Sequence, residues 1–187
     1  MRSVAAKVDR AALVRRALVE LVAENGFRGT AMAAVAARAG VATGTAYVHY
    51  ASKDDLVLAA YLEVKAALGR AAAAATSADT SASGLFDTTW RSVHAHLAAD
   101  PVQARFLVQV ESSPYASSAH EAAMSQGDLL GDARFDELRG ALVELPPLVL
   151  WDLGLGPAIR AVAFDTRLTD AELGELAAAC WRAVSSS

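Results

Sequence analysis

The chain has 187 residues, of which 54% are hydrophobic and 20% charged, enough apolar material for a sizeable core without metals or disulfides. Alanine abounds while prolines (5), glycines (12) and aromatics (6%) are few, which favours an all-α fold: alanine is the best helix former and gives a strand little to pack with. The lone Cys180 excludes an intrachain disulfide, and no apolar run approaches the roughly 18 residues of a membrane span, so the expectation is a cytoplasmic protein with no membrane partner.

The net charge of −4 hides a split. Residues 1–53 carry eight basic side chains (Arg2, Lys7, Arg10, Arg15, Arg16, Arg28, Arg38, Lys53) against three acidic ones (Asp9, Glu20, Glu24), a net of +5 that leaves −9 for the rest. A basic head on an acidic body suggests a polyanion as partner of the head.

In chain order, a first helix is predicted over Asp9 to Asn25, with Val14, Leu18, Leu21 and Val22 on one stripe. Asn25-Gly26 stops it, and Phe27 can fold back on its last turn. Thr30 is placed to cap a short second helix, Ala31 to Ala39, closed by Gly40. A third, Thr43 to His49, follows at once, and two short helices joined by a tight glycine turn have the shape of a helix-turn-helix. Ser52 caps a long fourth helix carrying Val57, Tyr61, Val64 and Leu68 inward. Thr76 to Gly84 is small and polar and reads as a linker.

Phe86, Trp90, Val93 and Leu97 mark a fifth helix, and Asp100-Pro101 starts a sixth with Asp100 as cap. A break containing Pro114 precedes a seventh, boxed by Ser118 and Glu121, bent near Gly127 and Gly131 and ending near Gly140. Pro146-Pro147 open an eighth segment, apolar nearly all round to Phe164 and so expected to be buried, with a kink at Gly154, Gly156 and Pro157. Thr169 and Glu172 box the last helix, where Leu173, Leu176, Ala177, Cys180, Trp181 and Val184 form a stripe. The count is about nine helices, in a head over 1–53 and a body over 54–187.

Residues 30–41 read T-A-M-A-A-V-A-A-R-A-G-V, and residues 42–56 read A-T-G-T-A-Y-V-H-Y-A-S-K-D-D-L. This run resembles the DNA-binding head of the TetR family of one-component regulators over about a quarter of the chain. The small Ala36 and Ala39 let the two short helices approach, Gly40 permits the turn, and Val41 and Tyr50 fill a miniature core.

The resemblance implies a three-helix DNA-binding head followed by a helical ligand-binding and dimerisation body. Its function would be a sequence-specific transcriptional regulator, a repressor released from double-stranded DNA by a small-molecule effector. It places the Tyr47 hydroxyl and the Lys53 ammonium on phosphates, and Thr43, Gly44, Thr45, Ala46, Val48 and His49 toward the major groove. Thr30 and Thr45 would donate hydroxyls to phosphates. It also implies a homodimer through residues 147–185, with Leu173, Leu176, Ala177, Cys180, Trp181 and Val184 at the seam and a pseudo-palindromic operator as the consequence. Cys180 is read there as a packed residue, not a nucleophile.

Two departures stand out. Ala42 occupies the usual Ser/Thr cap of the recognition helix, and residues 42–50 contain no Arg, Lys, Asn or Gln for bidentate base contacts. Readout would then rest on threonine hydroxyls, methyl contacts to thymine, His49, DNA shape and Arg2 or Lys7. That sparseness keeps open a second reading, a helical dimeric small-molecule-binding protein without specific DNA recognition.

For the effector, Trp90, His94, Phe106, Gln109, Val110, Tyr115, Met124, Phe135 and Trp151 supply an aromatic lining with a few polar handles. His94-x-His96 is a poor metal pair, because i and i+2 side chains on a helix point about 200° apart. No H-E-x-x-H, G-x-S-x-G or phosphate-binding glycine loop occurs, so no catalytic residue, metal or cofactor is expected.

Overall fold

A computed structural model describes residues 9–75, 79, 81–126 and 136–186. Eleven helices lie among them, with one isolated backbone bridge between Leu142 and Ser185 and no strand. Three short elements make the head: α1 (Arg10–Asn25), α2 (Met32–Arg38) and α3 (Thr43–His49). The Asp9 carboxylate accepts from the Ala12 amide to start α1, and Gly26, at φ 68°, ends it. Val14, Leu18, Leu21 and Val22 are buried as the spacing predicts, but so are Ala17 and Val19, because α1 is covered on two sides. One side holds α2 and α3, and the other packs on α4 (Lys53–Ala74) and α6 (Pro101–Glu111) of the body.

Thr30 departs from its expected role. It is only 2% exposed, and its hydroxyl donates to the Gly26 carbonyl at 2.9 Å, so it closes the end of α1 instead of capping α2. Ala31 takes the cap position of α2 without a side-chain bond. Gly40 turns the chain from α2 to α3 at φ 68°, with open space where a Cβ would stand. Gly40→Ala is therefore expected to cost about 1 kcal/mol through backbone conformation alone. A thermal melt should show a Tm lower by roughly 2–4 °C.

The Ser52 hydroxyl accepts from the Asp55 amide to start α4, whose 22 residues span about 33 Å from head to body. The linker ends sooner than its composition suggests. Asp79 and Ser81 bond the following amides, and α5 (Ala82–Ala99) already includes Gly84; residues 76–78 and 80 lie outside the described residues. Phe86, Trp90, Val93 and Leu97 are buried on α5. Asp100 does not cap α6: its carboxylate is held by Arg16 and by the Gln103 amide at 2.9 Å.

The seventh helix, α7 (Ala116–Ser125), starts two residues before the expected Ser118 cap, and Ser118 donates to the Tyr115 carbonyl instead. The expected bends at Gly127 and Gly131 lie outside the described residues, after which a short α8 (Asp136–Gly140) follows. The expected eighth segment is two helices, α9 (Pro147–Gly154) and α10 (Gly156–Ala163). Pro157 has no N–H to return to the preceding turn, which breaks the ladder there. Nor is it buried all round: Leu148, Val149 and Leu153 of α9 remain 38–42% exposed. The last helix, α11 (Asp170–Val184), carries the predicted box, with Thr169 and Glu172 bonded reciprocally.

Candidate nucleic-acid interface and effector cavity

The third helix, α3, has two faces that differ sharply. Ala46 is fully buried and Tyr50, just past its end, is 8% exposed, while Thr43, Gly44, Tyr47, Val48 and His49 face outward. Ala46 therefore belongs to the head core, where its methyl is what lets α3 lie close to α1, and it cannot meet a base. Thr30, buried and bonded to Gly26, is likewise spent inside the head and not open to a phosphate. Thr45 is half-buried, Tyr47 is half-exposed, and Val48 is 82% exposed. Ala42 leaves the first turn of α3 without a side-chain cap, as its identity dictates.

Tyr50 locks the arrangement. Its hydroxyl accepts from Arg15 at 2.6 Å and donates to the Ala11 carbonyl at 3.2 Å, fastening the end of α3 to α1. Lys53 ties the next joint: its ammonium donates to the Phe27 carbonyl at 2.8 Å and lies 5.9 Å from the centre of the Phe27 ring. Burial lowers its pKa.

Much of the head's positive charge is spent inside the molecule. Arg15 pairs with Glu63, Arg16 with Glu20 and Asp100, and Arg38 with Glu20 and Glu24. The Arg38 guanidinium holds the Glu24 carboxyl below its usual range. Arg10 and Arg28 make no ion pair among the described residues, and Arg10 lines a groove with Gly44, Thr45, Val48 and His49. Charge counting in the sequence included Arg10 but could not show that the start of α1 stands beside α3.

Several expected ligand residues instead join head to body. The Tyr115 hydroxyl donates to Asp54 at 2.8 Å, and its ring lies 4.9 Å from that of Phe27. Phe106, fully buried, stands 6.4 Å from the same ring; Val110 is core, and Gln109 is exposed beside Gly26. These side chains are consumed by packing, so none of them is open to a ligand in this arrangement except Gln109, which faces solvent. Met124, 53% exposed, borders a crevice with Tyr61, Lys65 and His120. Phe135 lies outside the described residues.

A cavity of about 310 Å³ opens between α5, α8, α9 and α11, with Trp90 and Trp151 in its wall. Trp90 donates its indole N–H to the Gly154 carbonyl at 3.0 Å and stacks on His94 at 5.7 Å. Burial lowers the His94 pKa. His96 turns elsewhere, to Gln103 at 3.2 Å, so the two histidines do not converge. On its far face Trp151 meets Lys65 of α4, whose ammonium lies 2.9 Å from the ring centre.

The stripe on α11 is partly spent within the chain. Ala177, Cys180 and Val184 are buried in the monomer, and Leu173, Leu176 and Trp181 are half-buried against the same core, Trp181 lying 5.4 Å from Phe86. The three buried residues therefore cannot form a seam with a second copy. Exposed apolar side chains cluster at Leu145, Leu148, Val149 and Leu153, next to α11, whose outer face carries Ala171, Ala178, Ala179 and Ala183.

Comparison with known proteins agrees with this architecture. Residues 14–60 match the model for bacterial regulatory proteins of the tetR family. The fatty acid metabolism regulator protein of Bacillus subtilis (strain 168) is 38% identical over 47 residues, 25% of this chain and 24% of that protein, so the match spans about a quarter of its length. A putative tetR family transcription regulator from Shewanella sp. PV-4 superposes with a TM-score of 0.78 at 26% identity, covering 95% of this chain and 99% of the other. A TetR family transcription regulator from Marinobacter aquaeolei VT8 gives 0.73 at 20% identity, over 95% and 96%. An all-helical body behind an outward-facing α3 is the architecture these regulators share, with the matched segment forming the helix-turn-helix. Residues 14–60, a quarter of the chain, are similar to the tetR-family model, and the whole chain shares the fold of the tetR-family structures it superposes on.

Proposed function

We propose that the protein works as a homodimeric repressor of a pseudo-palindromic operator, released when a small molecule enters the body. The observation that carries this reading is the exposed face of α3, from Thr43 to His49, beside an Arg10 that no described carboxylate pairs. Two copies joined through α9 and the outer face of α11 would present two such faces to successive major grooves. Helix α4 reaches from Lys53 at the head to Lys65 over Trp151 at the cavity, so an effector that shifts Trp151 has a mechanical route to the spacing of the heads. For ordinary coupling the effector must favour the DNA-incompetent state by about 1–3 kcal/mol.

The test is selection of genomic fragments by the purified protein at about 0.15 M salt, where non-specific phosphate binding is already weak. A shared pseudo-palindrome is expected. Arg10→Ala should weaken binding to it at all sequences alike and reduce the slope of log K against log salt by about one per protomer. Fragments without a common sequence, from protein shown by mass spectrometry to be ligand-free, would remove the specific-regulator reading.

A further inference from the structure

The cavity between α5, α8, α9 and α11 is more particular than a generic effector pocket. Its walls are Phe86, Trp90, Leu142, Leu150 and Trp151, with Thr89 among them. At about 310 Å³ it has room for about ten water-sized groups. The Trp90 N–H is already occupied by Gly154. The Thr89 hydroxyl is not: the residue is 6% exposed and makes no hydrogen bond among the described residues. A hydroxyl that no protein group bonds, and that is not sealed from solvent, is open to a ligand oxygen in place of water.

Charge at the rim narrows the choice. Arg139 is engaged by Asp136, and Glu144 stands exposed at the edge. A carboxylate entering the cavity would lose its water and meet Glu144; an ammonium would lose its water against walls of hydrocarbon.

We propose that this cavity binds an uncharged, mainly hydrocarbon molecule carrying one oxygen, a hydroxyl or a carbonyl, hydrogen-bonded to Thr89. The proposal rests on the effector reading given above and adds the chemical class. Ligand and walls exchange apolar surface, which sets affinity, while the single bond to Thr89 sets orientation.

Decan-1-ol is the probe, titrated into the full-length protein with tryptophan fluorescence and the melting temperature as readouts. The alcohol should raise the Tm, and decanoate and decylammonium at equal concentration should not. Thr89→Val should weaken the alcohol about fivefold, the worth of one hydrogen bond, while Thr89→Ser keeps most of the affinity. Leu142→Trp, which fills the cavity from its half-exposed rim, should abolish binding whatever the fate of the Thr89 variants. Equal binding by Thr89→Val, or undiminished binding after Leu142→Trp, would overturn the proposal. Tighter binding of decanoate or decylammonium would overturn the neutral class and leave an effector-binding regulator standing. Binding of the alcohol as described, with operator affinity unchanged, would uphold the cavity's chemistry and remove the effector reading.

Discussion

Val48→Glu is expected to abolish operator binding while leaving the protein as stable as before. Val48 is 82% exposed in the middle of the outward face of α3. Nothing inside the fold depends on it, so the change in stability should stay within about 0.5 kcal/mol. On DNA the same position would bring a carboxylate against a surface that carries one negative charge per about 1.7 Å of helix axis. Like charges placed face to face cost several kcal/mol, so affinity should fall at least about a hundredfold. Fluorescence anisotropy with a labelled operator reads the loss, and a thermal melt run alongside reads the stability. Normal DNA binding would show that α3 does not enter the groove. A lowered Tm would show that Val48 has a structural role that its exposure does not suggest.

The second large effect concerns assembly. The double variant Leu148→Glu/Leu153→Glu should leave the protein monomeric in solution, where the proposed seam predicts a dimer for the parent chain. Both side chains are about two-fifths exposed on α9, beside Val149, and a face of this kind is stable in water only when something covers it. At about 1.5 kcal/mol for each of the four leucines in a dimer, their burial amounts to roughly 6 kcal/mol. That corresponds to about four decades in the dissociation constant. DNA affinity should fall as well, since two linked heads gain about 10²–10⁴ from effective concentration. Sedimentation over a concentration series measures the first, anisotropy the second. Cys180→Ala is the contrast: Cys180 is 4% exposed inside the monomer, so this change should lower the Tm and leave association alone. If the α9 variant stays dimeric, the seam lies elsewhere on the body.

The head was largely legible from the chain, and α3 shows why. Its start at Thr43 and end at His49 follow from local rules: a glycine at positive φ before it, and a serine cap for the next helix soon after it. The body was less so. The α11 stripe is real as a period, but a period says only that one face is apolar, not which surface meets it. Ala177, Cys180 and Val184 turned out to serve the chain's own core, and an exposed apolar face belongs to α9, a segment so apolar that the sequence reads it as buried.

The site divides in the same way. Residue types and local spacing alone determined an all-helical protein with a helix-turn-helix near its start, because backbone hydrogen bonding and helical periodicity act over a few residues. The family resemblance of residues 30–56 added Tyr47, Val48 and His49 as a DNA-facing group, and all three do face outward. Only the tertiary structure decided that Thr30 and Ala46 face inward, that Arg10 stands beside α3, that Tyr115 clamps Asp54 and that Trp151 shares a wall between the cavity and Lys65. Tyr115 and Asp54 stand 61 positions apart in the chain. Which of many apolar or charged partners a side chain meets at that range is settled by how the helices stack, a property of the whole core and not of any stretch of chain.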